Sequence, residues 1–268
     1  MSARQGAGRL VLLMLLAAAS QARADVINSE FDLSLGIFVL DTSTTLRVDG
    51  TDQLGTDVNL ERDLGLSSTN SFRVDGFWRF AKRHKIRIEY FDEGRSAQHT
   101  LDQPIIIGDQ TFDVNTQVNA RVKNVTIEAA YEYAFMRGEK YELAGSLGVH
   151  DMYYKLSVSA VGETVNASRS ARADVNGPLP VIGLHYLWQF TPQWNLDALV
   201  ELFAAKVSPY NGTLQNYNIA IAYAPTKHFG LGLGWNEFIL RASVDSSGFN
   251  GTMSFRYGGL RAFVKFVY

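Results

Sequence analysis

From Phe31 onward the chain alternates apolar and polar positions with a period of two. The last stretch is the clearest. Leu260, Ala262, Val264, Phe266 and Tyr268 are apolar, and Arg261, Phe263, Lys265 and Val267 stand between them. A strand with one face in lipid and the other in a polar lumen has this period, because successive side chains point to opposite faces. Strand cores are predicted at 31–40, 72–80, 85–91, 125–135, 141–150, 181–190, 194–204, 217–223, 229–237 and 253–268. The expected fold is all-β: a transmembrane, antiparallel, up-and-down β-barrel of about ten strands, with eight as the alternative count. The faces follow from the alternation. A one-residue slip would turn Arg87, Glu128, Glu142, Asp197 and Lys265 into hydrocarbon. Ile86, Ile88, Ile127, Leu143, Leu184, Leu196, Ile219, Leu231 and Val264 are therefore assigned to lipid.

Tight turns fall at Ala81-Lys82-Arg83, Arg137-Gly138-Glu139, around Pro192, and at Pro225-Thr226-Lys227. Aromatic residues flank each of them, among them Trp78 and Phe80, Tyr133 and Phe135, Trp188 and Trp194, and Tyr223 and Phe229. Repeated turn after turn, this is one interfacial girdle of a membrane barrel. The opposite connections, about 41–70, 94–120, 157–177, 208–214 and 245–251, are longer and more polar, as expected of extracellular loops. Ile105-Ile106-Ile107, ahead of Gly108-Asp109, extends one hairpin beyond the membrane. Pro178 and Pro180 limit another strand, since neither can donate to a ladder.

The first 24 residues have a different pattern: Arg4 and Arg9, an apolar run from Leu10 to Ala19, then Ala22-Arg23-Ala24. A charged start, a short apolar stretch and a small-x-small site make a cleaved export signal, too short to span as a helix. The expected organisation is a signal peptide over 1–24 and one barrel domain over 25–268, in a Gram-negative outer membrane. The formal charge of −2 falls to about −5 once Arg4, Arg9 and Arg23 leave with the signal. That excludes a basic footprint for nucleic acid. The chain has no cysteine, hence neither a disulfide framework nor a thiolate metal site.

The inward faces carry the candidate chemistry. Asp32, Arg73, Asp75, Arg79, Lys85, Arg87, Glu89, Glu128, Glu132, Glu142, His150, His185, Asp197, Glu201, Arg261 and Lys265 all point to the lumen, with Phe38, Phe77, Phe91 and Phe263 between them. Acids and bases nearly balance. Gly230, Gly232, Gly234, Ala220 and Ala222 leave space on two neighbouring strands. In a small barrel, charges of both signs form a mutually satisfied plug, because an unpaired buried charge is costly. The alternative is a narrow, porin-like solute path. Pairing of 72–80 with 85–91 sets Asp75 opposite Glu89 with Arg73 and Arg87 diagonal to them, which predicts one cluster. Pairing across the Pro192 turn sets His185 opposite Leu199, with Asp197 and Glu201 diagonal to it. A histidine between carboxylates can serve as a general base, yet no nucleophile shares the face. No residue set has metal-ligand spacing, and no cofactor is implied.

Asp63-Leu64-Gly65-Leu66, Phe77-Trp78-Arg79-Phe80, Arg83-His84, Tyr90-Phe91, Arg95, Ile107-Gly108-Asp109 and Tyr141-Glu142-Leu143 resemble a group of proteobacterial outer-membrane barrel proteins of uncharacterised function. The resemblance covers roughly half of the chain beyond the signal and implies a single-domain barrel with no assigned activity. More loosely the chain is similar to the small OmpA-, OmpX- and OmpW-like barrels, though longer. Protease barrels have a similar strand count, but their catalytic acid and histidine motifs find no residue-by-residue match. The expected role is structural, surface-interacting or small-solute passage, without enzymatic chemistry. The runner-up is a protease or a lipid A- or phospholipid-modifying hydrolase using His185 with Asp197 or Glu201. Expected partners are the lipid bilayer, lipopolysaccharide and the barrel-assembly machinery through the C-terminal strand, for a monomeric protein.

Overall fold

The computed structural model describes residues 25–161, 169–207, 210–245 and 250–268. The expected export signal, 1–24, lies outside the described residues. The elements in chain order are β1 (Phe31–Val48), β2 (Val58–Asn59), α1 (Leu60–Asp63), β3 (Asn70–Ala81), β4 (His84–Thr100), β5 (Ile105–Ile107), β6 (Gln110–Phe112), β7 (Gln117–Arg137), β8 (Tyr141–Ala160), β9 (Ser170–Trp188), β10 (Trp194–Val207), β11 (Tyr210–Tyr223), β12 (Phe229–Asp245) and β13 (Asn250–Val267). The wall runs β1-β3-β4-β7-β8-β9-β10-β11-β12-β13, each neighbour antiparallel, and β13 pairs back onto β1 from Asp32↔Val267 to Val48↔Gly251. Each predicted strand core lies on one of these wall strands, so the barrel has ten strands rather than eight. Pairing of the last wall strand back onto the first closes the sheet, the condition for crossing a bilayer with strands. The short turns fall where the sequence places them, and Trp78, Phe80, Tyr133, Phe135, Trp188 and Trp194 point outward beside them.

The strands run much further than the predicted cores, and the predicted extracellular loops shrink accordingly. The reason lies in the phase of the alternation. Along the turn-proximal part of β8, Leu147 and Val149 face outward; beyond His150 the apolar set is Met152, Tyr154, Leu156 and Val158, all facing inward. β13 inverts in the same way. Leu260 and Phe266 face lipid, whereas Met253, Phe255 and Tyr257 point into the barrel and Ser254 and Arg256 point out. The far half of the wall thus stands in water with an apolar interior, and its alternation has the phase of a soluble barrel.

That interior is capped by connections folded inward. Val58, Leu60, Leu64 and Leu66 from the first loop and Ile105, Ile107 and Phe112 from the β5–β6 hairpin are buried in one cluster with Phe255 and Tyr257. Asn59 caps α1 by accepting from the Arg62 backbone N–H at 2.8 Å, and Asp63 accepts from the Asn59 N–H at 2.8 Å. Gly65, at φ +70°, lets the chain double back immediately afterwards. The hairpin containing Ile105-Ile106-Ile107 therefore docks on the barrel mouth rather than projecting beyond it. The first loop holds it there, with the Thr56 backbone N–H donating to the Ile106 carbonyl at 2.9 Å.

At the other mouth the segment before β1 turns inward. Val26 and Ile27 are buried, and Ile27 packs on Phe77 and Leu187. Arg137 Nη2 donates to the Ile27 carbonyl at 2.5 Å, and Arg79 Nε donates to the Ser29 carbonyl at 3.1 Å. Two apolar residues are too few to show a period, and this closure has no signature in the sequence.

Candidate functional site: the charged lumen

The membrane half of the interior is packed with ionisable side chains from eight neighbouring strands. Most are nearly inaccessible to water; Asp75 and Asp197 are partly exposed, to 21% and 30% of their side chains. Three subclusters form. Near the periplasmic mouth Glu142 receives Arg79 at 2.7 Å, Lys85 at 2.8 Å and Arg137 at 3.2 Å, and Lys85 also reaches Glu132 at 2.8 Å while lying over the Phe77 ring. In the middle Arg87 bridges Glu128 at 2.6 Å, Glu132 at 2.8 Å and Glu201. Across the lumen Arg73 holds Glu89 at 2.5 Å and Asp75 at 3.3 Å, Arg261 also pairs with Asp75, and Lys265 holds Asp32 at 2.9 Å. Every cation here touches a carboxylate, which is what burial in low dielectric demands.

The strand registers match those expected from sequence, yet the contacts differ in two places. Asp75 does lie opposite Glu89 and Arg73 serves both. Arg87 leaves that group and reaches inward to β7 and β10, so the expected single cluster is two. His185 does lie opposite Leu199. Its Nε2 is 3.2 Å from Asp197 Oδ1, but its Nδ1 is 2.9 Å from Glu132 on β7, and Glu201 turns to Arg87, Asn216 and His150 instead. Side chains long enough to cross the lumen choose partners by barrel curvature, which diagonal spacing along one hairpin does not encode. The space expected over the small residues of β11 and β12 is taken by Phe263. Its ring would lie 2.1 Å from a Cβ on Gly232, and it packs on Ala220 and Ala222 with Arg261 above it.

Sequence reasoning missed one grouping. Glu128, His150 and Glu201 bring three ligand atoms within 4.8 Å of one another. Arg87 already contacts both carboxylates, so a guanidinium stands where a metal ion would. The residues come from three strands, and no local spacing announces them.

No family model and no curated protein matches the chain. Among solved structures the outer-membrane protease OmpT from Escherichia coli is similar, with a TM-score of 0.53 at 11% identity over 92% of this chain and 99% of that one. The attachment invasion locus protein Ail of Yersinia pestis aligns with a TM-score of 0.33 at 12% identity, over 87% of this chain and 98% of that one. The monoaromatic hydrocarbon channel CymD aligns with a TM-score of 0.39 at 8% identity, over 96% and 92%. The closed wall, the girdle and the first of these likenesses define the class: a transmembrane β-barrel of the bacterial outer-membrane type. At such identities the likeness carries the fold and nothing of the activity.

Proposed function

We propose that this protein is a closed, non-conducting barrel of the Gram-negative outer membrane with a structural or surface-interacting role. The observation that carries this reading is the triple bridge of Arg87 to Glu128, Glu132 and Glu201, which spans the lumen at the membrane level with all four side chains buried. An open pore would leave such groups hydrated and far less tightly paired. The inward turn at Ile27 and the apolar cap at the far mouth support the same reading, as they close both ends. Export by a cleaved signal over 1–24 and insertion through the C-terminal strand complete it. The runner-up, hydrolysis at His185, is weakened because both ring nitrogens are already engaged by carboxylates, which leaves none for a nucleophile or substrate.

Single-channel recording of the purified protein in planar bilayers is the test. Electrical silence is expected; discrete ion-conducting steps would replace the plug with a pore. Turnover of peptide, lipid A or phospholipid substrates in detergent, lost in His185→Ala, would install the enzyme in its place.

A further inference from the structure

Among the described residues the wall has one place where consecutive strands of the sheet separate. β9 and β10 pair only from Ile182↔Leu202 to Trp188↔Leu196, although both strands continue further. On its other edge β9 stays paired to β8 without interruption as far as Ser159↔Ser170. The cause is visible in the sequence of β9. Pro178 and Pro180 have no N–H, and two residues apart they remove donors along one edge of the strand. Since the β8 ladder is intact, the edge that lacks donors is the one facing β10.

Behind the gap lies a cavity of about 470 Å³. Its inward walls are Met152, Leu179, Phe203, Leu240, Val244 and Met253, and the outward-facing Pro178 and Pro180 border it as well. Gly177 points into it, and a Cβ there would meet nothing within 4 Å. On the membrane side a groove of about 510 Å³ runs over Leu147, Ile182, Leu202 and Ala204 and shares Pro180 and Phe203 with the cavity. Lipid-facing surface and apolar interior are thus continuous through the wall.

The opening has a definite height. Outward residues of β9 read Arg172, Asp174, Asn176, then Pro178, Pro180, Ile182, Leu184, so the change from polar to apolar falls at the prolines. On β10 it falls between Ala204 and the exposed Lys206. From Trp188 in the periplasmic girdle to the prolines the chain rises about 26–34 Å along the strand. At a tilt of ~40° this is roughly 20–26 Å across the bilayer, the far edge of an apolar band ~25 Å tall.

We infer that this cavity is a binding site for the hydrocarbon chain of an outer-leaflet membrane lipid, which enters sideways between β9 and β10. The volume lies within the ~300–1,000 Å³ of small-molecule sites, and the walls are apolar and interrupted by little that could orient a polar ligand. Flexible Met152 and Met253 side chains suit a chain of variable conformation. A lipid is the occupant favoured over a free solute because the entrance faces the bilayer. Lys206 also stands at the height of an anionic headgroup.

Methyl NMR tests this. Protein carrying protonated Ile and Met methyls in a deuterated background is placed in nanodiscs of dimyristoylphosphatidylcholine. Ile88 and Ile127, on the lipid face, should show cross-relaxation peaks to acyl-chain protons, and buried Ile27 should not. Met152 and Met253 are 5% and 2% exposed and face inward; their methyls should show acyl-chain peaks as strong as those of Ile88. Gly177→Trp fills the cavity and should remove the Met152 and Met253 peaks while those of Ile88 persist, which reports a folded, inserted barrel. Peaks at Ile88 and Ile127 alone in the unmodified protein would overturn the site. Peaks at Met152 and Met253 that arise only when protonated myristate is added to chain-deuterated lipid, and never from protonated lipid, would overturn the lipid as occupant.

Discussion

The two halves of this barrel fill the same interior in opposite ways. In the membrane half the outer surface must be apolar, so the inner surface carries the polar residues, and they are charges neutralised by one another. In the extracellular half the outer surface meets water and the inner surface is free to be a hydrophobic core, built from wall residues such as Phe255 and Tyr257 and from loop residues such as Leu60 and Ile105. The energetics differ as well. Apolar burial stabilises by roughly 25 cal/mol per Å² and tolerates imperfect partners. A buried ion pair gains little over an apolar substitute, but removing one member is severe. The membrane half is therefore brittle towards single changes, whereas the extracellular half loses stability in proportion to what is cut away.

The largest effect should come from Arg87→Met, which leaves Glu128, Glu132 and Glu201 without their shared base. A loss of about 3–5 kcal/mol is expected for an uncompensated buried charge. Denaturant unfolding of the barrel in detergent or lipid vesicles measures it. A negligible loss would mean that water reaches the lumen, and the contrast between the halves would dissolve.

A smaller loss, roughly 2–3 kcal/mol, is expected for Leu60→Ala, at the low end for buried leucine because a loop can settle into the gap. Hydrogen exchange should quicken over 58–66 and over the docked β5–β6 hairpin while the periplasmic strands stay protected. Exchange that quickens evenly around the wall would show the cap and the charged half to be one cooperative unit.

Arg256→Ala should cost least. Arg256 pairs with Glu237 at 2.9 Å on the outside of the extracellular half, where both side chains are open to water. Such a pair contributes under about 1 kcal/mol and is screened by salt. A loss rivalling that of Arg87→Met would erase the distinction between inward and outward charge.

Much of the membrane half was legible in the sequence. Aromatic residues beside each tight turn set the strand order, and the turns set registers such as Asp75 opposite Glu89 and His185 opposite Leu199. The extracellular half reads as loop in the sequence because its apolar residues stand in the opposite phase to those that face lipid. At His150 the phase inverts, and Met152, Tyr154 and Leu156 look like a pattern that has failed. Arg95, within the stretch 94–120 that the sequence assigns to a loop, is instead buried on β4, where it holds Glu61 of α1 at 2.6 Å. Pro178 and Pro180 were visible as breaks, but the cavity behind them depends on residues of six strands.

The sequence by itself determined which face of each strand meets lipid, because a period of two admits two assignments and hydrocarbon rejects charge in one of them. The aromatic-flanked turns pointed to about ten strands but left eight open, and closure of β13 onto β1 fixed ten. Only the tertiary structure decided which charge meets which across the lumen, that the loops and the Ile27 turn fold inward, and that β9 parts from β10. Those choices rest on curvature and on contacts between residues far apart in the chain, as for Asp75 and Arg261, 186 positions apart, and a local pattern carries no information about distances that only closure of the wall creates.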